Sequence, residues 1–390
     1  MAETDRDDTD HPRRTLGLVG HGQAEAAVVD AWNRGRMPHA WLICGPAGIG
    51  KATFAYRLAR FLLAAGERPV AGQAAVPEPS LLFGAPELAP EKPEAAASPR
   101  SLDVHPGSRV TALVAARGHP DCLAVERPWD EKKKRFKGEI SVDQSRGIGT
   151  FLHRTASGGG WRVVIVDAVD EMNRNAANAL LKALEEPPAR AALLLVAHAP
   201  GRLLPTIKSR CRRLALSPLR GSEVEAVLAA KRPDASPADR AAAAAASGGS
   251  PGSAIALLDS DGLALRVSIL ALLARLPRLD GIAAQALADG LARNDAEDAW
   301  DSYRLVLADA LREAARTAVA GAGPAAAPGK GEAAAACARL AALAQPARWL
   351  AAAARIERLF AQADGLNLDK KLVVMETLAV LRDTADGSAA

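Results

Sequence analysis

The feature that most restricts this chain is a short apolar run, Ala40-Trp41-Leu42-Ile43-Cys44, that passes directly into Gly45-Pro46-Ala47-Gly48-Ile49-Gly50-Lys51-Ala52-Thr53. Glycines let backbone amides curl round an anion, the start of a helix adds its dipole, and a lysine neutralises the outer phosphates. Phe54, Leu58, Phe61 and Leu62 then recur on one helical face, so strand, loop and helix stand in the order that a phosphate-binding loop requires. One part is missing. The position after the lysine, where a hydroxyl should hold magnesium, is Ala52. Thr53 lies one step further on, rotated by about 100°, and is a poor substitute.

A second stretch repeats the pattern of a site present but incomplete. Trp161-Arg162-Val163-Val164-Ile165-Val166-Asp167 is an apolar strand ending in the carboxylate expected behind the magnesium, yet the next residue is Ala168, where an ATPase of this kind carries a water-activating glutamate. Asp170 and Glu171 stand three and four positions past the strand end. Two readings are open for them: a catalytic carboxylate, or an exposed acidic turn that caps the following helix, and the second is preferred. Nucleotide binding without metal-assisted hydrolysis is the first expectation.

With 390 residues the chain exceeds what a single core usually covers. Residues 15–216 alternate β-branched or Leu-rich runs with amphipathic stretches, which implies a parallel sheet covered by helices. The expected strands are Ala40 to Cys44, Cys122 to Val125, Arg162 to Asp167, Ala192 to Ala197 and Arg213 to Leu216. Between them, residues 66–118 are rich in Pro, Ala and Gly and read as a surface insertion. Past Ser217-Pro218 strand signals stop, and Ala- and Leu-rich helical spacing continues as two units, 217–262 and 263–390. The fold class is thus α/β followed by all-α. In the last helix, Leu368, Leu372, Met375, Leu378 and Leu381 are expected to form the buried stripe.

Charge and cysteine content exclude other classes. Forty-nine Lys+Arg against 45 Asp+Glu leave +4, too even for a dedicated nucleic-acid-binding chain. Cys44, Cys122, Cys211 and Cys337 form no CxxC pair, so neither a metal nor a disulfide framework is expected. The longest apolar runs, such as Ala191 to Ala197, fall well short of the roughly 18 residues of a membrane span. Residues 1–14 read as an acidic, flexible tail without the features of a signal peptide, which makes a cytoplasmic protein the expectation.

Three stretches occur together: the phosphate loop, Asn178-Ala179-Leu180-Leu181-Lys182-Ala183-Leu184-Glu185-Glu186-Pro187-Pro188, and Thr206-Ile207-Lys208-Ser209-Arg210-Cys211. In that order they resemble the clamp-loader branch of the AAA+ proteins. Within that branch, His119-Pro120-Asp121 and Gly249-Ser250-Pro251-Gly252 look like its delta-prime family. The resemblance implies an AAA+ domain over 15–216, a small helical lid over 217–262 and a helical collar over 263–390.

It also implies site roles. Arg210, with Ser209 and Cys211 of the same motif, would be an arginine finger offered to the nucleotide of a neighbouring subunit. Gly45, Gly48, Gly50, Lys51, Thr53 and Asp167 would form a degenerate nucleotide site. The family's γ-phosphate sensor position is His198, and its lid arginine is Gly252. With Ala52, Ala168, His198 and Gly252 all departing, no ATP hydrolysis is expected in this chain's own site, and residual ATP or ADP binding is left open. A four-cysteine zinc module often carried by the family is absent from 66–118, so no zinc and no required cofactor are expected. Implied partners are clamp-loader gamma/tau and delta subunits, with the sliding clamp and primed DNA reached through the complex. The alternative is an ATP-hydrolysing gamma/tau-type subunit using Lys51, Asp167 and Glu171.

Two features stay ambivalent. Glu185 and Glu186 oppose the dipole at the end of their helix, which suits either an outside partner or plain solvent exposure. Lys132 to Lys137 is a basic run that suits either DNA phosphates or a solvated turn.

Overall fold

The computed structural model describes residues 10–67, 98–130, 135–136, 138–156, 159–293, 297–320, 332–366 and 368–387. The chain forms two compact units, Met1–Pro218 and Leu219–Ala390.

In the first unit the elements run α1 (Gly22–Asn33), β1 (Ala40–Cys44), α2 (Lys51–Glu67), α3 (Arg109–Ala115), β2 (Cys122–Glu126), β3 (Trp129–Asp130), β4 (Arg135–Phe136), α4 (Val142–Leu152), β5 (Arg162–Asp167), α5 (Arg174–Glu185), β6 (Ala191–Ala197), α6 (Pro205–Arg210) and β7 (Arg212–Ala215). Strands β2-β5-β6-β1-β7 lie in that order and pair in parallel, while β3 and β4 make a separate antiparallel pair. Parallel strands covered by helices on both faces read as continuous apolar runs. Here side chains alternate between two cores: Trp41, Ile43, Val163, Ile165, Leu194 and Val196 face α1 to α3, whereas Leu42, Cys44, Val164, Val166, Leu193 and Leu195 face α4 and α5. All seven residues of the central strand β6 are buried.

The strands match their expected places to within one residue at the ends. Helix α2 buries Phe54, Leu58, Phe61 and Leu62 as expected. Two expectations need correcting. Residues 10–14 are held rather than loose: Arg13 Nε donates to Ala115 O at 3.0 Å, and Arg60 NH1 donates to Arg13 O at 3.0 Å. Of the segment 66–118, residues 68–97 lie outside the described residues. The remainder is no mere surface insertion, because Leu102, Val110 and Val114 are buried in the core beside α2. The basic run 132–137 lies outside the described residues except for the backbone of β4.

The second unit contains α7 (Gly221–Lys231), α8 (Pro237–Ala246), α9 (Pro251–Asp259), α10 (Gly262–Leu273), α11 (Gly281–Leu291), α12 (Glu297–Val319), α13 (Glu332–Leu343), α14 (Pro346–Leu366) and α15 (Lys370–Asp386). The stretch read as a separate unit, 217–262, shares one buried cluster with the helices downstream of it, from Val224 and Leu228 through Ile269 and Leu307 to Leu381. Half of its core positions are alanines (Ala243, Ala244, Ala246, Ala254), too small to bury enough apolar surface alone. Trp300 and Trp349 are packing residues, and Trp349 Nε1 donates to Leu340 O at 3.1 Å.

The final helix departs from the expected stripe. Leu368 and Leu372 are 43% and 68% exposed, while Val373, Val374, Thr377, Leu378, Val380, Leu381, Thr384 and Ala385 are buried. Threonine is a poor core candidate by hydrophobicity. Its hydroxyl, however, can be satisfied within its own helix. Thr377 Oγ1 donates to Val374 O and Thr384 Oγ1 to Val380 O, both at 2.7 Å, and Thr377 also meets the hydroxyl of buried Tyr303 at 2.5 Å. These bonds offset the desolvation penalty and let the two threonines share the buried face with Leu378 and Leu381, while Leu368 and Leu372 stay outside it. Urea unfolding should therefore show Leu378→Ala costing roughly 2–5 kcal/mol and Leu372→Ala within about 0.5 kcal/mol of the wild type.

Candidate functional site

The loop after β1 has the backbone its glycines predict. Gly45, Gly48 and Gly50 have φ of 154°, 72° and 98°. At Gly45 a side chain is also excluded by space, since a Cβ would stand 2.6 Å from Leu216 O, where the end of β7 passes. Lys51 is buried, and its ammonium is turned onto the loop's own carbonyls, donating to Gly45 O at 2.7 Å and to Pro46 O. Burial holds its pKa down at about 8, against the opposing pull of Asp167 and Asp170. Thr53 is half-buried in the first turn of α2, and Ala52 contributes only a methyl group. The residues suit an anion cradled by amides beside a lysine. They supply no hydroxyl directly after that lysine, so the donor set for a magnesium ion is short of one ligand.

His21 is a member of this site that sequence reasoning missed. It takes a left-handed conformation between Gly20 and Gly22, φ 58°, and its Nε2 donates to Ile49 O at 2.8 Å, bracing the loop from outside. The sequence signal was the histidine between two glycines.

At the end of β5, Asp167 is pushed up to about 6 by burial first, then by the carboxylates of Glu126 and Glu171, with Lys51 opposing. Glu126 is its register partner at the end of β2. It too was missed. Burial would raise its pKa, but hydrogen bonding from His11, the charge of Arg117 and the Tyr56 hydroxyl together hold it at about 2. Tyr56 Oη donates to Oε1 at 2.9 Å and Arg117 to Oε2 at 2.5 Å. Because these partners come from residues 11, 56 and 117, no local motif announces them.

The acidic turn does not cap the following helix, as the preferred reading had it. Asp170 does not cap α5, a task done by Asn173 through Ala176 N at 2.9 Å. Instead Asp170 accepts the backbone N–H of His198 at Oδ1 (2.9 Å) and of Ala199 at Oδ2 (2.8 Å), fixing the loop after β6. Glu171 is paired with Arg127 at 2.8 Å, and burial raises its pKa. His198, at the sensor position, has its pKa lowered by burial and then by the charge of Lys51. Gly252 stands in the first turn of α9 in the second unit, where Ser250 is the cap and accepts from Ser253 N at 3.2 Å. His119, in the turn before β2, accepts Asp121 N–H at Nδ1 at 3.1 Å.

Arg210 is the last residue of α6, immediately before β7. Strand β7 runs parallel to β1 with Trp41 opposite Arg212. Arg210 therefore lies at the edge where strands begin, and the phosphate loop at the edge where they end. A four- to five-residue strand separates the two by about 15 Å. Its guanidinium donates from NH1 to Thr206 O at 3.0 Å and pairs through NH2 with Glu185 Oε1 at 2.7 Å. The partner of Glu185 thus comes from the same chain, and Glu186 is exposed. Ser209 Oγ donates to Thr206 O at 3.1 Å. Cys211 caps the helix end, packs against the α4–α5 core and has its thiol pushed up to about 12 by burial. Arg212 stacks over Trp41, its guanidinium carbon 5.2 Å from the ring centre.

Among the described residues no three His, Cys, Asp or Glu side chains cluster as a metal site, and no helix is long and apolar enough to cross a membrane.

A five-stranded parallel sheet in this order, with the glycine loop between its fourth strand in space and the next helix, and with a helical unit after it in the chain, is the fold of AAA+ P-loop domains. Residues 97–220 match the family described as DNA polymerase III, delta subunit. The chain is 38% identical over 219 residues to DNA polymerase III subunit delta' of Pseudomonas aeruginosa, covering 56% of this chain and 55% of that one. It is 31% identical over 248 residues to the Escherichia coli subunit delta', covering 63% and 62%. It is 31% identical over 199 residues to the gamma/tau subunit of Mycobacterium tuberculosis, covering 51% and 28%. The chain thus spans somewhat more than half the length of the two delta' relatives, and over that part it is similar to the bacterial delta' subunits.

Asp167 gives a pH signature. Its folded pKa of about 6 lies above the ordinary 3.8, so the folded chain holds this proton more tightly than the unfolded one. That stabilisation is present at low pH and lost as pH rises through the folded value. Asp167→Asn should therefore be more stable than wild type at pH 7.5, on the order of 1–3 kcal/mol, with the difference vanishing below about pH 4. Thermal melts across that range check the sign.

Proposed function

We propose that this chain is an ATPase-deficient, delta-prime-type subunit of a cytoplasmic DNA polymerase III clamp loader, and that it donates Arg210 to the nucleotide of an adjacent ATPase subunit. The observation that carries this reading is the placement of Arg210 and the phosphate loop on opposite edges of one parallel sheet. A guanidinium there has no route to its own chain's phosphate loop. It is available to a phosphoryl group presented by a neighbour, where a positioned arginine is worth about 10³–10⁵ in rate.

Its own pocket argues in the same direction. Lys51 is folded onto loop carbonyls, Ala52 brings no magnesium ligand, Asp170 is committed to two backbone amides, and Glu171 is tied to Arg127. Neither of these carboxylates stands unengaged to activate a water. This weighs against the gamma/tau-type alternative, which needs Lys51, Asp167 and Glu171 for turnover. In the proposed role the partners are gamma/tau and delta subunits, with the sliding clamp and primed DNA met through the assembly. Polymerisation belongs to another polypeptide, and the chain requires no cofactor or zinc of its own.

The test is reconstitution with gamma/tau and delta subunits. The isolated chain should show no magnesium-dependent ATP turnover above a Lys51→Ala control. Arg210→Ala should assemble normally yet lower single-turnover hydrolysis at the adjoining site by at least about tenfold. Brisk turnover by the isolated chain, or failure to co-purify with those subunits, would overturn the assignment.

A further inference from the structure

The Arg210 side chain is not displayed alone. Its NH2 pairs with Glu185 Oε1 at 2.7 Å and its NH1 donates to Thr206 O at 3.0 Å, so the guanidinium is held from two sides, and an arginine carries five N–H donors in all. Glu185 ends α5, where a negative charge is opposed by the helix dipole. A glutamate is therefore unfavourable at that place unless a specific contact offsets the repulsion, and the contact the structure gives it is the guanidinium of Arg210. Both residues are partly exposed, with side-chain accessibilities of 49% for Glu185 and 34% for Arg210. An ion pair so placed contributes little to folding. What it does contribute is geometry, because an arginine on a free surface loses rotamer freedom when it engages a phosphate, and one already held loses less.

We infer that Glu185 is the positioning residue for Arg210: it fixes the guanidinium plane, together with Thr206 O, so that the remaining donors face the triphosphate of a neighbouring subunit. This rests on Arg210 acting at a neighbour's nucleotide, and it adds a residue whose role is orientation and not contact with substrate. Orientation raises the rate of the chemical step more than it changes ground-state nucleotide affinity. Loss of Glu185 should therefore appear in kcat with KM for ATP little changed. It should also be repaired by a side chain that keeps an acceptor oxygen at the same reach.

The experiment uses the loader reconstituted with gamma/tau and delta subunits, measuring clamp- and DNA-stimulated ATPase for Glu185→Ala, Glu185→Gln, Glu185→Asp, Arg210→Ala and the Glu185→Ala/Arg210→Ala double variant. Co-purification and melting curves establish that each has folded. Glu185→Ala is expected to lower kcat by about tenfold, Glu185→Gln to retain most activity, and Glu185→Asp, whose oxygen is withdrawn, to lose part of it. The double variant should be no slower than Arg210→Ala alone. If Arg210→Ala is slow while Glu185→Ala matches or exceeds wild type, the positioning role fails and the finger stands. It fails equally if Glu185→Asp is fully active and Glu185→Gln is not, which would make charge the agent. A further loss from Glu185→Ala in the Arg210→Ala background would show that Glu185 acts on another group. If Arg210→Ala is itself unimpaired, the finger assignment falls first and takes this inference with it.

Discussion

Parallel pairing imposes a polarity on the first unit that decides where every functional group sits. Since β2, β5, β6, β1 and β7 all point the same way, every residue at a strand's end gathers on one edge and every residue before a strand on the other. The phosphate loop, Glu126, Asp167 and the loop at His198 share the first edge. Arg210 and Glu185 share the second. Separating a nucleotide-like pocket from an outward arginine thus needs no special device; it is what a parallel sheet does to residues placed before and after its strands.

The pocket edge is a dense electrostatic site. Asp167 and Glu126 end neighbouring strands, and their environments drive their pKa values apart, the first up to about 6 and the second down to about 2. Glu126 reaches that state through three partners, one of them His11 from the held N-terminal segment. Asp170, by accepting two consecutive amides, ties the end of β5 to the loop after β6.

How much of this the sequence carries depends on whether a feature is local. The strand–loop–helix order around Lys51 and the buried runs of β1, β5 and β6 are written in consecutive residues, and the structure repeats them almost position for position. The role of Glu126 is not, because its partners lie far away in sequence. The face of α15 was hidden for another reason: leucine looks more apolar than threonine, yet Thr377 and Thr384 satisfy their hydroxyls within the helix and take the interior. The pairing of Glu185 with Arg210 joins two motifs visible separately, and only the crossing of α6 beside the end of α5 brings them together.

Helix α5 connects the two edges. It begins at Asn173, beside the acidic turn of the pocket edge, and finishes at Glu185, against the arginine of the other edge. At 1.5 Å per residue it is a rod of about 18 Å reaching from one side of the sheet to the other. Its near end is fastened by a turn whose carboxylates are engaged by two backbone amides and by Arg127, and its far end by the guanidinium of Arg210, so the helix is a strut tied down on both sides of the sheet.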